Sequence, residues 1–221
     1  MHNINKNNYS IDCFHNSSII GEMPPLPIPS SWQKFHRANL IKYSLEQTAG
    51  SGYICEFGVL KGRTLNQIAE FFKEEIVFGF DSFEGLPEAW HLTDDRVFPK
   101  GQMSLGGNMP EVLENVKLVK GWYNETLPGW IRDNPESIKF IHIDCDLYSS
   151  TKTILTLLNS QIVQGTILHF DDFYCWGNPE EFTKWEDGEY LALQEWITTF
   201  EREFEIIHRN NYFQCAIRII K

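Results

Sequence analysis

Four aspartates stand where chemistry can be done: Asp144 and Asp146 within Asp144-Cys145-Asp146, and the adjacent pair Asp171-Asp172. Each pair closes a short apolar run, Lys139-Phe140-Ile141-His142-Ile143 before the first and Gly165-Thr166-Ile167-Leu168-His169-Phe170 before the second. The residues between the runs have room for one helix. A strand, a crossover helix and a second strand form a right-handed unit with parallel strands, whose carboxyl ends share one edge of the sheet. Neighbouring strands lie ~4.8 Å apart, so if these two are adjacent, four carboxylates converge in the crevice where open α/β sheets bind ligands. Such a cluster repels itself unless protons or a cation intervene. Mg²⁺, hard and oxygen-seeking, is the natural partner.

Other strand ends carry further candidates. Tyr53-Ile54-Cys55-Glu56-Phe57 reads as a strand running into Gly58-Val59-Leu60-Lys61-Gly62 and then a helix. Gly58 and Gly62 let the backbone approach a ligand closely, and the helix start offers unpaired N–H groups. The spacing is not that of the dinucleotide fingerprint, and the chain lacks a lysine-bearing P-loop. A second strand, Ile76 to Phe80, ends on Asp81, 23 positions after Gly58. An acid at that position suits the two hydroxyls of a ribose. After a third strand, Val116 to Val119, come Trp122 and Tyr123, open to two readings: stacking on a base, or plain core. Residues 88–110 read as a loop long enough for a lid or binding loop. Within it His91, Asp94 and Asp95 either reach a site or are ordinary solvated groups.

The remaining elements frame these residues. An amphipathic helix is expected over Ser31 to Gln47, with Trp32, Phe35, Leu40 and Tyr43 on one face and Gly50 and Gly52 ending it. A helix from Gly188 to Phe200 precedes two β-like runs, Phe204 to His208 and Phe213 to Ile219, joined as a hairpin. Seven strands, five alternating with helices before a closing hairpin, predict an α/β fold of the class I methyltransferase kind, a Rossmann-like three-layer sandwich whose mostly parallel sheet ends in an antiparallel strand.

With 221 residues the chain can bury one sizeable core, so residues 31–221 are expected to form a single domain. Residues 1–30 are polar and then proline-rich; they read as a flexible tail or as an arm that closes over a pocket or packs on a second copy in a homodimer. A net charge of -11, from 30 acidic and 19 basic residues, argues against a nucleic-acid partner. The five cysteines form no CxxC pair and signal neither disulfides nor zinc. No apolar run approaches the ~20 residues of a membrane span, and no signal peptide is evident; a cytoplasmic location is expected.

The motifs together resemble the macrocin O-methyltransferase (TylF-type) family. They are Glu56-Phe57-Gly58-Val59 with Gly62, Phe80-Asp81-Ser82-Phe83-Glu84-Gly85-Leu86-Pro87, Gly121-Trp122 with Thr126-Leu127-Pro128, His142-Ile143-Asp144-Cys145-Asp146-Leu147-Tyr148, and Phe170-Asp171-Asp172, in order over residues 50–196. The resemblance implies methyl transfer from S-adenosylmethionine to a hydroxyl, often of a sugar, with Mg²⁺. It implies that Glu56, Gly58, Val59 and Gly62 shape the methionine and ribose pocket, with Asp144 beside it, that Asp81 and Ser82 hold ribose, and that Gly121 and Trp122 lie near adenine. Asp144, Asp171 and Asp172 would ligate the metal, and Asp146 would be the general base. Macrolide-modifying members are longer between the second and third strands, where some place a histidine near the reacting hydroxyl; His91 is the candidate for that role here.

Structural readings compete with these roles. Asp146 is alternatively a cap for the following helix, while His142 and His169 read as satisfied core histidines rather than ligands. Two other functions also use the same residues. A glycosyltransferase would use Asp144 and Asp146 as an Asp-x-Asp pair, and a non-catalytic module would keep the cofactor pocket without turnover.

Overall fold

A computed structural model describes residues 36–175, 178–210 and 212–221. The elements in chain order are α1 (His36–Glu46), β1 (Tyr53–Phe57), α2 (Arg63–Phe71), β2 (Val77–Asp81), β3 (Val116–Lys120), α3 (Tyr123–Asp133), β4 (Ile138–Ile143), α4 (Tyr148–Leu157), β5 (Ile162–Phe170), α5 (Glu189–Phe200), β6 (Phe204–Arg209) and β7 (Cys215–Ile219). The seven strands form one sheet in the order β3-β2-β1-β4-β5-β7-β6. The strands from β3 to β5 pair in parallel, and β7 runs antiparallel to both β5 and β6. The expected α/β sandwich with an antiparallel closing strand is what the chain forms.

The strand patterns explain the layers. All six residues of β4 are buried, as befits a central parallel strand covered on both faces. Alternate residues serve opposite faces. Cys55 and Phe57, Ile141 and Ile143, and Leu168 and Phe170 enter the core under α3, α4 and α5. Ile54, Phe140 and Ile167 enter the core under α1 and α2, beside Ile41, Leu45, Leu65 and Ile68. The chain leaves β1 for β2 on one side and later returns to place β4 on the other. The crevice at this reversal is where such sheets hold ligands.

Differences from the expected elements are local. The first helix is described from His36; its expected Trp32 and Phe35, like the arm over residues 1–30, lie outside the described residues. The loop over residues 88–110 contains a two-stranded ribbon, Trp90–His91 against Val97–Phe98. Its return limb is tied down, because Leu105 and Gly107 donate N–H groups to the Phe83 carbonyl and Gly101 donates to that of Leu86. Gly85 permits this closure: its φ is +85°, and a Cβ there would lie 2.4 Å from the Gln102 carbonyl oxygen. Among the described residues no helix is long and apolar enough to cross a membrane.

Candidate active site

The site is built on a turn that only glycine can make. Gly58 has φ +94°, and a Cβ would fall 1.7 Å from the Asp144 carbonyl oxygen. The end of β1 therefore presses against the end of β4, and the Asp144 N–H donates to the Phe57 carbonyl at 2.8 Å. Asp81 holds the rest of the turn. Its Oδ2 accepts the N–H groups of Val59 and Leu60 at 2.9 and 2.8 Å, and its Oδ1 accepts that of Phe83 at 2.7 Å. A carboxylate has about four acceptor sites, so three backbone bonds leave room for a ligand hydroxyl.

A cleft opens above this turn. Gly58, Asp81, Ser82, Gly121, Trp122 and Asp144 all line it, together with Asp146. Three of the sequence-derived cofactor residues lie behind it instead. Val59 is buried, Gly62 faces Val112 and Pro110 at the start of α2, and Glu56 is fully buried with Oε1 2.8 Å from His142 Nδ1. Gly121, at φ +139°, lets the chain turn into α3, where a Cβ would meet Thr126 at 2.8 Å.

The acids converge as their strand ends demand. One oxygen from each of Asp144, Asp171 and Asp172 lies within 4.8 Å of the other two. Oxygens on an octahedral cation at about 2.1 Å stand about 3 to 4.2 Å apart, so a small inward rotation would let the three hold one ion. Asp171 and Asp172 are 3% and 2% exposed, and their burial favours a compensating charge.

Asp146 has a positive φ of 63°, a conformation that aspartate tolerates better than most residues. Leu147, not Asp146, is the N-cap of α4, and α4 has no side-chain cap, so the helix-capping reading is not what the structure adopts. Burial first, and then the charges of Asp172, Asp144 and Glu189, push the Asp146 carboxyl well above the usual carboxylate range.

Asp146 also lines a second cavity with Glu88, Trp90, His91, Tyr148, Phe182 and Lys184. Of the three loop residues singled out in the sequence, only His91 lines it. Asp94 instead pairs with Lys184 at 2.6 Å on the surface.

His142 sits between carboxylates, with Nε2 3.6 Å from Asp171 Oδ1. Burial disfavours its charge, but Asp171 and Glu56 overcome this and hold the imidazole pKa well above its ordinary value. His169 is buried against Ser44, with Nδ1 2.8 Å from Oγ. Both histidines are buried in the core, the Nε2 of His169 has no hydrogen-bond partner, and ligand atoms of His142, His169 and Asp171 also lie within 4.8 Å of one another.

Glu189 was given no role in the sequence reading. It is fully buried at the start of α5, where its Oε2 accepts the Asp172 N–H at 3.2 Å and its Oε1 has no hydrogen-bond partner. Burial first, and the charges of Asp172 and Asp144 next, push its carboxyl well above the usual range. The signal was present, because Glu189 falls in the buried stripe Glu189, Ala192, Leu193, Trp196, where helical spacing demands an inward side chain.

Residues 108–189 match the macrocin-O-methyltransferase (TylF) family. Solved structures resemble the chain over most of its length. CalS11, a calicheamicin methyltransferase, is 24% identical over 87% of this chain and 86% of its own, with a TM-score of 0.61. The O-methyltransferase NovP is 21% identical over 84% and 80%, with a TM-score of 0.58. MycE, solved with Mg and SAH, is 11% identical over 83% of this chain and 48% of its own, with a TM-score of 0.50. No curated protein sequence matches the chain. The family match over residues 108–189 agrees with the resemblance carried by the motifs, and the solved structures share the class I methyltransferase fold over most of the chain.

Proposed function

We propose that the protein methylates a sugar hydroxyl with S-adenosylmethionine, assisted by Mg²⁺, and that residues 31–221 act as one domain. One observation carries this reading: Asp146, 7% exposed, lines both the cleft over the glycine turn and the cavity beside the ribbon. A proton acceptor for methyl transfer belongs between donor and acceptor. A structure of CalS11 is described as that of a TDP-rhamnose 3'-O-methyltransferase, and MycE was solved with Mg and SAH; both support the choice of a sugar acceptor and the cation.

In this reading Glu56, Gly58, Val59 and Gly62 form the turn under the cofactor, Asp81 and Ser82 meet its ribose, and Gly121 and Trp122 meet its adenine. Asp144, Asp171 and Asp172 would hold the cation. The chemistry of that donor set fits, since three close carboxylates need a neutralising charge and the buried Glu189 Oε1 beside Asp172 has no hydrogen-bond partner. Bound there, the cation would supply Lewis-acid assistance, lowering the pKa of the hydroxyl and fixing its position.

Asp146 takes the hydroxyl proton as the new oxygen–carbon bond forms and the carbon–sulfur bond breaks, releasing S-adenosylhomocysteine. His91, on the same cavity wall, orients the reacting hydroxyl. Trp90, Tyr148 and Phe182 give the sugar an apolar wall, and the two cavities set the in-line approach.

The test follows methyl transfer from labelled S-adenosylmethionine to a panel of nucleotide sugars, glycosides and oligosaccharides by mass spectrometry. Asp146→Asn should lower kcat by about 10²–10⁴-fold with little change in S-adenosylhomocysteine affinity. EDTA should remove most turnover, and Mg²⁺ should restore it. Normal turnover by Asp146→Asn would refute the base, and insensitivity to EDTA would refute the cation.

A further inference from the structure

The sheet face under α1 and α2 carries a buried polar row. Glu56, His142, His169 and His208 lie in one line across the strands, with Gly79 beside Glu56 on β2 and Ala216 between His169 and His208 on β7. None of the four polar side chains is more than 1% exposed. Buried polar groups are costly unless they bond to each other, so their partners reveal how the row is used.

The row divides between His142 and His169. His169 and His208 both turn to Ser44 of α1, at 2.8 and 3.0 Å. Glu56 and His142 face the site: one imidazole nitrogen meets Glu56 and the other faces Asp171. The methyl transfer proposed above uses neither side chain directly.

We infer that His142 is a positioning residue that ties Asp171 to Glu56, so that the cation ligand and the strand under the glycine turn are held by one chain of contacts. This rests on the cation reading above. Asp171 follows β5 and Glu56 lies in β1, with β4 and His142 between them. On the far side, the Gln214 side chain donates to the same Asp171 oxygen and is itself held by Asn210. Gln214 and His142 thus approach one Asp171 oxygen and limit how far its carboxylate can turn. Outer groups of this kind orient ligands, and their loss commonly weakens metal affinity by about 10–100-fold.

Mn²⁺ binding to the purified full-length protein, read by electron paramagnetic resonance without cofactor, tests this directly. Calorimetry with S-adenosylhomocysteine and thermal unfolding run alongside. His142→Asn can still reach Glu56 through its amide but falls short of Asp171, and should weaken Mn²⁺ binding by about 10-fold. His142→Gln, longer by one carbon, should recover most of that loss. Glu56→Gln, two contacts from any ion, should also weaken Mn²⁺ binding. Combined with His142→Asn it should add little, because one chain of contacts is broken only once.

Additive losses, or Mn²⁺ affinity unchanged in His142→Asn, would overturn the inference. If His142→Asn fails to fold, unchanged affinity in both His142→Gln and Glu56→Gln overturns it instead. A wild-type protein that binds S-adenosylhomocysteine but no Mn²⁺ would sink the cation reading itself, and this inference with it.

Discussion

The two faces of the sheet do different work. Under α3, α4 and α5 the strands present Phe57, Ile141, Ile143, Leu168 and Phe170 to an apolar core. On the opposite face the intervening positions are Glu56, His142 and His169. Strands of near-identical polarity thus supply stability to one layer and placement to the other. Both faces are equally dry, so the difference lies in chemistry rather than exposure. Burying a hydrocarbon stabilises wherever it fits, whereas a buried polar row is stable only in the arrangement that satisfies it.

The sharpest way to break this contrast is a pair of neighbours on β4. Ile141→Ala removes a fully buried side chain from the apolar layer and should cost about 2–5 kcal/mol by urea unfolding. Its Mn²⁺ affinity should remain close to that of the wild type, the opposite of the His142→Asn result. If Ile141→Ala lost metal affinity as His142→Asn is expected to, the two faces would not be separable.

A smaller effect tests the polar face through pH. Burial, and then the charge of Arg218, push the His208 pKa down to about 3. An unfolded histidine titrates near 6.5, so on acidification the unfolded chain takes up this proton first. The stability given by neutral His208 is complete above about pH 6.5 and is lost progressively as pH falls toward 3. Between pH 7 and 5 the loss should be about 1.5–2 kcal/mol, measured by urea unfolding at each pH. His208→Gln should flatten that slope, since Gln can still meet Ser44 but does not titrate. An unchanged slope would mean that His208 opens to water.

Much of this was legible in the sequence because strand ends are punctuated. Apolar runs stopping at Asp81, Asp144 and Asp171 marked both the sheet and its active edge, and Gly58 marked the turn that presses on β4. Glu189 was missed because an acid at a helix start is ordinarily solvated there, although its helical spacing placed it in the buried stripe. The link from Glu56 to Asp171 was not legible, since it depends on β1 and β4 being neighbours across a topological reversal. Sequence separates Glu56 from His142 by 86 positions. Only the register puts them in one row.

The smallest expected effect lies at the surface, where the ribbon meets the segment before α5. Lys184 donates its N–H to the Leu92 carbonyl at 3.1 Å, and its side chain reaches Asp94 at 2.6 Å. The ion pair looks like a latch over the second cavity, but Asp94 is 85% exposed, and exposed pairs contribute about 0–1 kcal/mol. The backbone bond and the contact of Trp90 with Phe182, at 6.2 Å between ring centres, survive its loss. Asp94→Ala should therefore change stability by less than about 0.5 kcal/mol and leave S-adenosylhomocysteine affinity unaltered. A rise in KM for the acceptor alone would show that the pair orders the cavity wall, and would extend placement by polar contacts from the sheet to the loops that cover it.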